Sequence, residues 1–143
     1  MKRYVKFLLL FLMVFGSQLF AQEAGKIYSK ADADALLGKV TMSMQIDRDK
    51  LVKITDTDSK GFMFKINGGE LIILDAQRKT LYPDSRMVSS SEVFNYFSKS
   101  KVKEFLNQTS ASVISIQMRG STLTLESDGF DLDNSFMCPP ICP

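Results

Sequence analysis

The chain has 143 residues, with 18 Lys and Arg, 16 Asp and Glu, and no His. A formal charge of +2 excludes an extended nucleic-acid-coating surface, and the length excludes a large multidomain enzyme or a multi-span membrane protein. Without His there is no Ser–His or Cys–His pair, and most catalytic zinc sites are ruled out.

The first 21 residues read as a secretory signal. Lys2, Arg3 and Lys6 give a positive start, and Phe7 to Phe15 is an unbroken apolar run. Gly16-Ser17-Gln18 breaks that run, and Ala21 offers a small residue for cleavage before Gln22. The run is shorter than the roughly 20 residues a bilayer span needs. Residues 1–21 are therefore expected to be a cleaved signal peptide, leaving a secreted or periplasmic protein with no stable membrane span. Without Lys2, Arg3 and Lys6 the balance becomes 15 basic against 16 acidic residues, or −1.

Residues 22–28 read as a loose leader. Ser29 is placed to cap a helix over residues 30–37, with Gly38 to end it. Val40, Met42, Met44 and Ile46 alternate with polar residues, the period of a strand with one buried face. Asp47 can cap a second short helix bearing Leu51, Val52 and Ile54. Phe62–Ile66 and Leu71–Leu74 flank Asn67-Gly68-Gly69, which predicts a hairpin. The second of these strands is continuously apolar and is expected to be central, covered on both faces. Thr80–Tyr82 predicts a short strand stopped by Pro83. Ser89 and Glu92 have capping-box spacing ahead of Val93, Phe94 and Phe97, which predicts a helix; Val102, Phe105 and Leu106 mark another. Ile114, Ile116 and Met118 alternate with Ser115, Gln117 and Arg119, Gly120-Ser121 turns the chain, and Leu123 and Leu125 answer. Ser127-Asp128-Gly129 turns it again toward Phe130 and Leu132. No internal repeat is visible. These elements predict one α+β domain over residues 29–133, with a mainly antiparallel sheet and two to four short helices.

Residues 134–143 form a Cys- and Pro-rich tail holding both cysteines, Cys138 and Cys142. In an exported protein two thiols favour a disulfide, here closing a ring too small to staple distant parts of the fold. The alternatives are intermolecular pairing, or a thiol redox or Cu(I) site, because paired thiolates suit soft metals. The string Cys-x-x-x-Cys-Pro at Cys138, Cys142 and Pro143 resembles the copper-binding motif of the Sco-type copper chaperones, a thioredoxin-like family. In that family the motif follows an early strand and a distant His completes the site. This chain has no His, and Met137 is the substitute ligand at hand.

Carboxylates pair at Asp32-x-Asp34, Asp47-x-Asp49, Asp56-x-Asp58 and Asp131-x-Asp133. The Asp56 stretch departs from a calcium loop at Lys60 and Asn67, where oxygen ligands are required. Lys99, Lys101 and Lys103 form the densest basic patch. The last 24 residues carry Glu126, Asp128, Asp131 and Asp133 and no Lys or Arg, so they are suited to fold back on that patch or to meet a basic partner. Asn107-Gln108-Thr109 is a glycosylation sequon. Phe94, Tyr96, Phe97 and Phe105 are read first as core. The sequence thus predicts an exported module with a non-catalytic binding, interaction or structural role, its partner an unknown protein or small ligand and not a nucleic acid, with no cofactor. The alternative is a thiol redox or Cu(I)-handling protein acting through Cys138 and Cys142. A His-free hydrolase would need two carboxylates converging in a cleft about 5–9.5 Å apart.

Overall fold

A computed structural model describes residues 23–139 of the chain. The predicted signal segment and Cys142 lie outside the described residues. Ten strands and three helices follow in the order β1 (Lys26–Ser29), α1 (Lys30–Leu37), β2 (Met42–Asp47), α2 (Arg48–Thr55), β3 (Gly61–Asn67), β4 (Glu70–Asp75), β5 (Thr80–Tyr82), β6 (Phe94–Ser98), α3 (Lys99–Gln108), β7 (Val113–Arg119), β8 (Thr122–Ser127), β9 (Phe130–Asp133) and β10 (Phe136–Cys138). They build two antiparallel sheets. Sheet A has the order β1-β9-β8-β7-β2, and sheet B the order β10-β6-β3-β4-β5.

The local signals explain much of this. The Ser29 hydroxyl accepts the Asp32 N–H at 3.2 Å, and Gly38 ends α1 at φ 78°. Asp47 holds the cap position of α2 but makes no side-chain cap bond. The β3–β4 hairpin closes with Asn67 opposite Glu70, and Gly68 and Gly69 supply the two positive φ angles of the turn. Leu71, Ile72, Ile73 and Leu74 are all buried, as their continuous apolar run predicts.

The interior shows a repeat that the sequence conceals. The unit β2-α2-β3-β4-β5 recurs as β6-α3-β7-β8-β9, and the first strand of each unit lies in the other unit's sheet. β2 pairs with β7, and β6 pairs with β3. The registers correspond: Ile46 faces Ile114 across one exchange, and Phe97 faces Phe62 across the other. The main core is correspondingly paired. Ile46, Leu51, Ile54, Phe62, Phe64, Leu71 and Ile73 of the first unit match Phe97, Val102, Phe105, Ile114, Ile116, Leu123 and Leu125 of the second, and all are buried together. Only Leu71 and Leu123 in that set are identical. Burial needs apolar volume rather than identity, so the repeat survives in packing while fading in sequence.

Three further expectations are corrected. The supposed loose leader forms β1 from Lys26, because β9 offers it a partner: Ile27 lies opposite Leu132. The tail forms the strand β10, whose Phe136 and Cys138 lie opposite Tyr96 and Phe94. The helix expected over Val93–Phe97 is the strand β6. The capping contact ahead of it does form, with the Ser89 N–H donating to Glu92 Oε1 at 3.0 Å, but it closes a turn. β6 lies between β3 and β10 with Phe94, Tyr96 and Phe97 all buried. A strand buried on both faces loses its alternation, so spacing alone misleads there.

Gly61, at the start of β3, packs against Tyr96 and the Phe97 carbonyl with no room for a Cβ. Gly61→Ala should therefore lower stability by about 1–3 kcal/mol through overpacking. Urea unfolding measures this, and an unchanged midpoint would mean that β6 can shift freely away from β3.

Candidate functional site

The outer faces of the two sheets differ in kind. On sheet B, Met63, Ile72, Leu74, Phe94 and Tyr96 form a second apolar cluster with Ala24 and Cys138. At the equivalent places in the repeat, sheet A carries Ser115, Thr124, Glu126, Ser43 and Gln45. Asp131 and Asp133 of β9 and Gln117 and Arg119 of β7 share this polar face, alternating with the core residues Leu132, Ile114 and Ile116.

Helix α1 lies over this face and removes part of it from water. Ala33 is wholly buried on its underside. Arg119 is the hub, and its side chain is 1% exposed. Its Nη1 donates to Asp34 Oδ1 at 2.6 Å and to the Gly38 carbonyl at 2.8 Å, while Nη2 donates to Gln117 Oε1 at 3.3 Å. Gln117 Nε2 donates in turn to Ser115 Oγ at 3.2 Å, and that hydroxyl meets Ser43 Oγ at 2.8 Å. A polar chain thus runs from α1 across β7 to the exchanged strand β2. Lys30 of α1 reaches Glu126 at 3.9 Å.

Asp131 is the least solvated member. It has no exposed surface, its nearest approach to Arg119 Nη2 is 3.6 Å, and its one neighbouring hydroxyl is that of buried Thr124, which lies outside good hydrogen-bond geometry. Burial pushes its carboxyl above the ordinary value of 3.8, against the opposing pull of Arg119. Asp133 is 6% exposed and its Oδ1 has no partner among the described residues. Its carboxyl is also pushed up by burial, against the Asn134 N–H and the Arg119 charge.

Where the polar face ends, a groove of about 240 Å³ opens between the sheets, lined by Asn95, Ser121, Thr122, Asp133, Asn134, Ser135 and Met137. The Ser135 hydroxyl donates to Asn95 Oδ1 at 3.0 Å. Met137 is 52% exposed here, whereas Cys138 is wholly buried on the opposite side of β10. Neighbouring residues of a strand point to opposite faces, so Met137 is turned away from Cys138. No group of three or more Cys, Asp or Glu placed to hold a metal occurs among the described residues.

The other candidates disperse. Asp32 accepts from Ser29 Oγ at 2.6 Å. Asp56 pairs with Lys103 at 3.0 Å. The basic patch is occupied by neighbours other than the acidic C-terminal stretch: Lys99 donates to the Thr57 carbonyl at 2.7 Å, and Lys101 meets Glu104 at 2.8 Å and Glu23 at 3.5 Å. Asp128 instead accepts the Ser110 and Ala111 N–H groups, which hold its carboxyl low. The Thr109 hydroxyl of the sequon donates to the Phe105 carbonyl at 3.1 Å. Arg119 was the residue that spacing did not single out. Its position in a polar alternation reads as solvent-facing, and the available signal was that β7, β8 and β9 all carry polar residues on the same face.

The raised Asp131 carboxyl gives a pH-dependent stability with a definite sign. The folded state binds this proton more tightly than the unfolded chain does, so the burden on the fold is greatest at neutral pH and is relieved as pH falls toward 3.8. Asp131→Asn should raise the melting temperature at pH 7 and narrow its gain over wild type on acidification toward pH 4. A variant less stable than wild type at pH 7 would mean that the charged carboxylate stabilises the fold.

Comparison of the chain with protein-family models, with curated proteins and with solved structures gives no match.

Proposed function

We propose that the chain is an exported, non-catalytic binding module that takes a small polar ligand in the groove between Asn95 and Met137. The observation that carries this reading is the inequality of the two quasi-equivalent faces. Apolar residues at Met63, Ile72, Leu74, Phe94 and Tyr96 close sheet B as stability favours, while sheet A carries polar groups at the same places and sinks Arg119 and Asp131 beneath a helix. Buried charge is poor value for stability, because desolvation offsets the attraction. Departures from apolar packing concentrate at functional sites.

The groove offers amide and hydroxyl groups from Asn95, Ser121, Thr122, Asn134 and Ser135 around the Asp133 carboxylate. That set suits a compact amine or polyhydroxyl compound. Binding is favoured over hydrolysis because Asp131 is wholly covered and, of the two β9 carboxylates, only Asp133 lines the groove. A titration with small amines and polyols, followed by amide NMR shifts, tests the reading. Shifts should cluster at Asn95, Thr122 and Asn134 and be lost in Asp133→Asn. Shifts confined to other surfaces, or unaffected by that substitution, would defeat it.

The terminal cysteines are assigned a structural role in the same reading, as a Cys138–Cys142 disulfide. Cys138 is packed with Met63, Ile72, Phe94 and Tyr96, an apolar setting that disfavours a reactive thiolate, and no free cysteine occurs among the described residues. Replacing both cysteines with alanine should leave the domain folded, with only a modest fall in melting temperature. Tight Cu(I) uptake after reduction would instead favour the thiol redox or copper reading.

A further inference from the structure

The two sheets present four edge strands: β1 and β2 in sheet A, β10 and β5 in sheet B. An edge strand is open to pairing with another chain, and proteins blunt such edges by shortness, Lys, Pro or bulges. Three of the four follow that rule. β1 has four residues and carries an exposed Lys26; β5 and β10 have three each and run directly into Pro83 and Pro139. β2 is blunted only at its start, where a bulge sets both Thr41 and Met42 against Met118 and the Thr41 N–H donates to the Met118 carbonyl at 2.8 Å. From Met42 it runs for six residues, and from Val40 to Ile46 the chain holds no charge and no Pro. Val40 just before it and Met42 at its start are 41% and 45% exposed.

The Arg48 N–H donates to the Ser112 carbonyl at 2.8 Å. Continued through the register of Ile46 with Ile114, this ladder assigns Met44 and Ile46 to the bonds with β7 and turns the backbone groups of Ser43 and Gln45 outward. Among the described residues no other element bonds to those groups.

We propose that β2 is a self-association edge, pairing antiparallel with β2 of a second copy of this chain so that two A sheets join across a two-fold axis. The distribution of charge selects this occupant. Exposed Lys39 precedes the neutral stretch, and exposed Asp47 and Asp49 follow it. A two-fold axis through Ser43 brings Lys39 of each copy toward Asp47, the last residue of β2, in the second copy, which opposes unlike charges twice. Met44 already packs on the main core, so the second copy's Val40 and Met42 lengthen that core rather than meeting solvent.

Sedimentation of the purified protein over a wide concentration range tests this. The expected result is a reversible two-copy species. Lys39→Asp should weaken it by roughly tenfold or more, because two attractive pairs become repulsive. Adding Asp47→Lys to that variant should restore it. Ser43→Pro removes one outward N–H and no backbone bond to β7, and should also give single copies with unchanged circular dichroism, whereas Ser43→Ala, which removes only the hydroxyl contact with Ser115 Oγ, should leave the two-copy species intact. A single copy at every concentration, a dimer indifferent to both Lys39→Asp and Ser43→Pro, or a charge-reversed variant that folds without re-forming the dimer would each overturn the proposal.

Discussion

The exchange of β2 and β6 is the constraint on which the rest of the structure depends. Each strand begins one unit of the repeat and completes the sheet of the other. Neither unit closes its own sheet, and Ile46 and Phe97 reach the core only through strands that belong to the opposite unit. Such contacts are far apart in sequence, so the two units are expected to fold together rather than in turn. The helices α2 and α3 serve the same end, each filling the core with apolar residues at matched positions, Leu51 and Ile54 against Val102 and Phe105.

The exchange also positions the polar face. Because β2 lies beside β7, Ser43 of the first unit meets Ser115 of the second, and the chain of polar contacts continues through Gln117 and Arg119 to Asp34 on α1. Arg119 therefore ties together a helix, a strand and, through Gly38, the connection leading to β2. The matching place in sheet B is Asn67, at a hairpin tip. Two faces built on one plan have diverged in chemistry, one becoming a second apolar core and the other a covered charged layer. The groove at Asp133 opens where that layer runs out, beside β10.

Features set by neighbouring residues were legible in the sequence. The Ser29 cap, the Gly38 stop, the Gly68-Gly69 turn and the doubly buried β4 all follow from short-range chemistry. Features set by distant partners were not. β1 and β10 are short segments whose ladders come from β9 and β6, and nothing local distinguishes them from a leader and a tail. β6 presents apolar residues on both faces, so Phe94 and Phe97 mimic the spacing of a helix. The repeat is hidden because Phe62 and Phe64 correspond to Ile114 and Ile116, which share volume class but not identity. At the site, Asp131-x-Asp133 was visible as a carboxylate pair. Its burial was not, because that depends on α1 crossing a face whose alternation reads as solvent-exposed.

The charged layer beneath α1 should cost stability rather than supply it, because desolvation offsets the attraction between buried charges. The most direct measurement is the unfolding free energy of a chain carrying Arg119→Met and Asp131→Leu together, which removes both members of the pair, while half-exposed Asp34 is left to solvent and Asp133 keeps the Asn134 N–H. Such replacements of buried ion pairs are commonly neutral or stabilising. This chain should fold with stability equal to or above that of the wild type, and keep its β2–β7 pairing. A clear loss of stability would contradict it, since the pair would then be part of what holds the fold together.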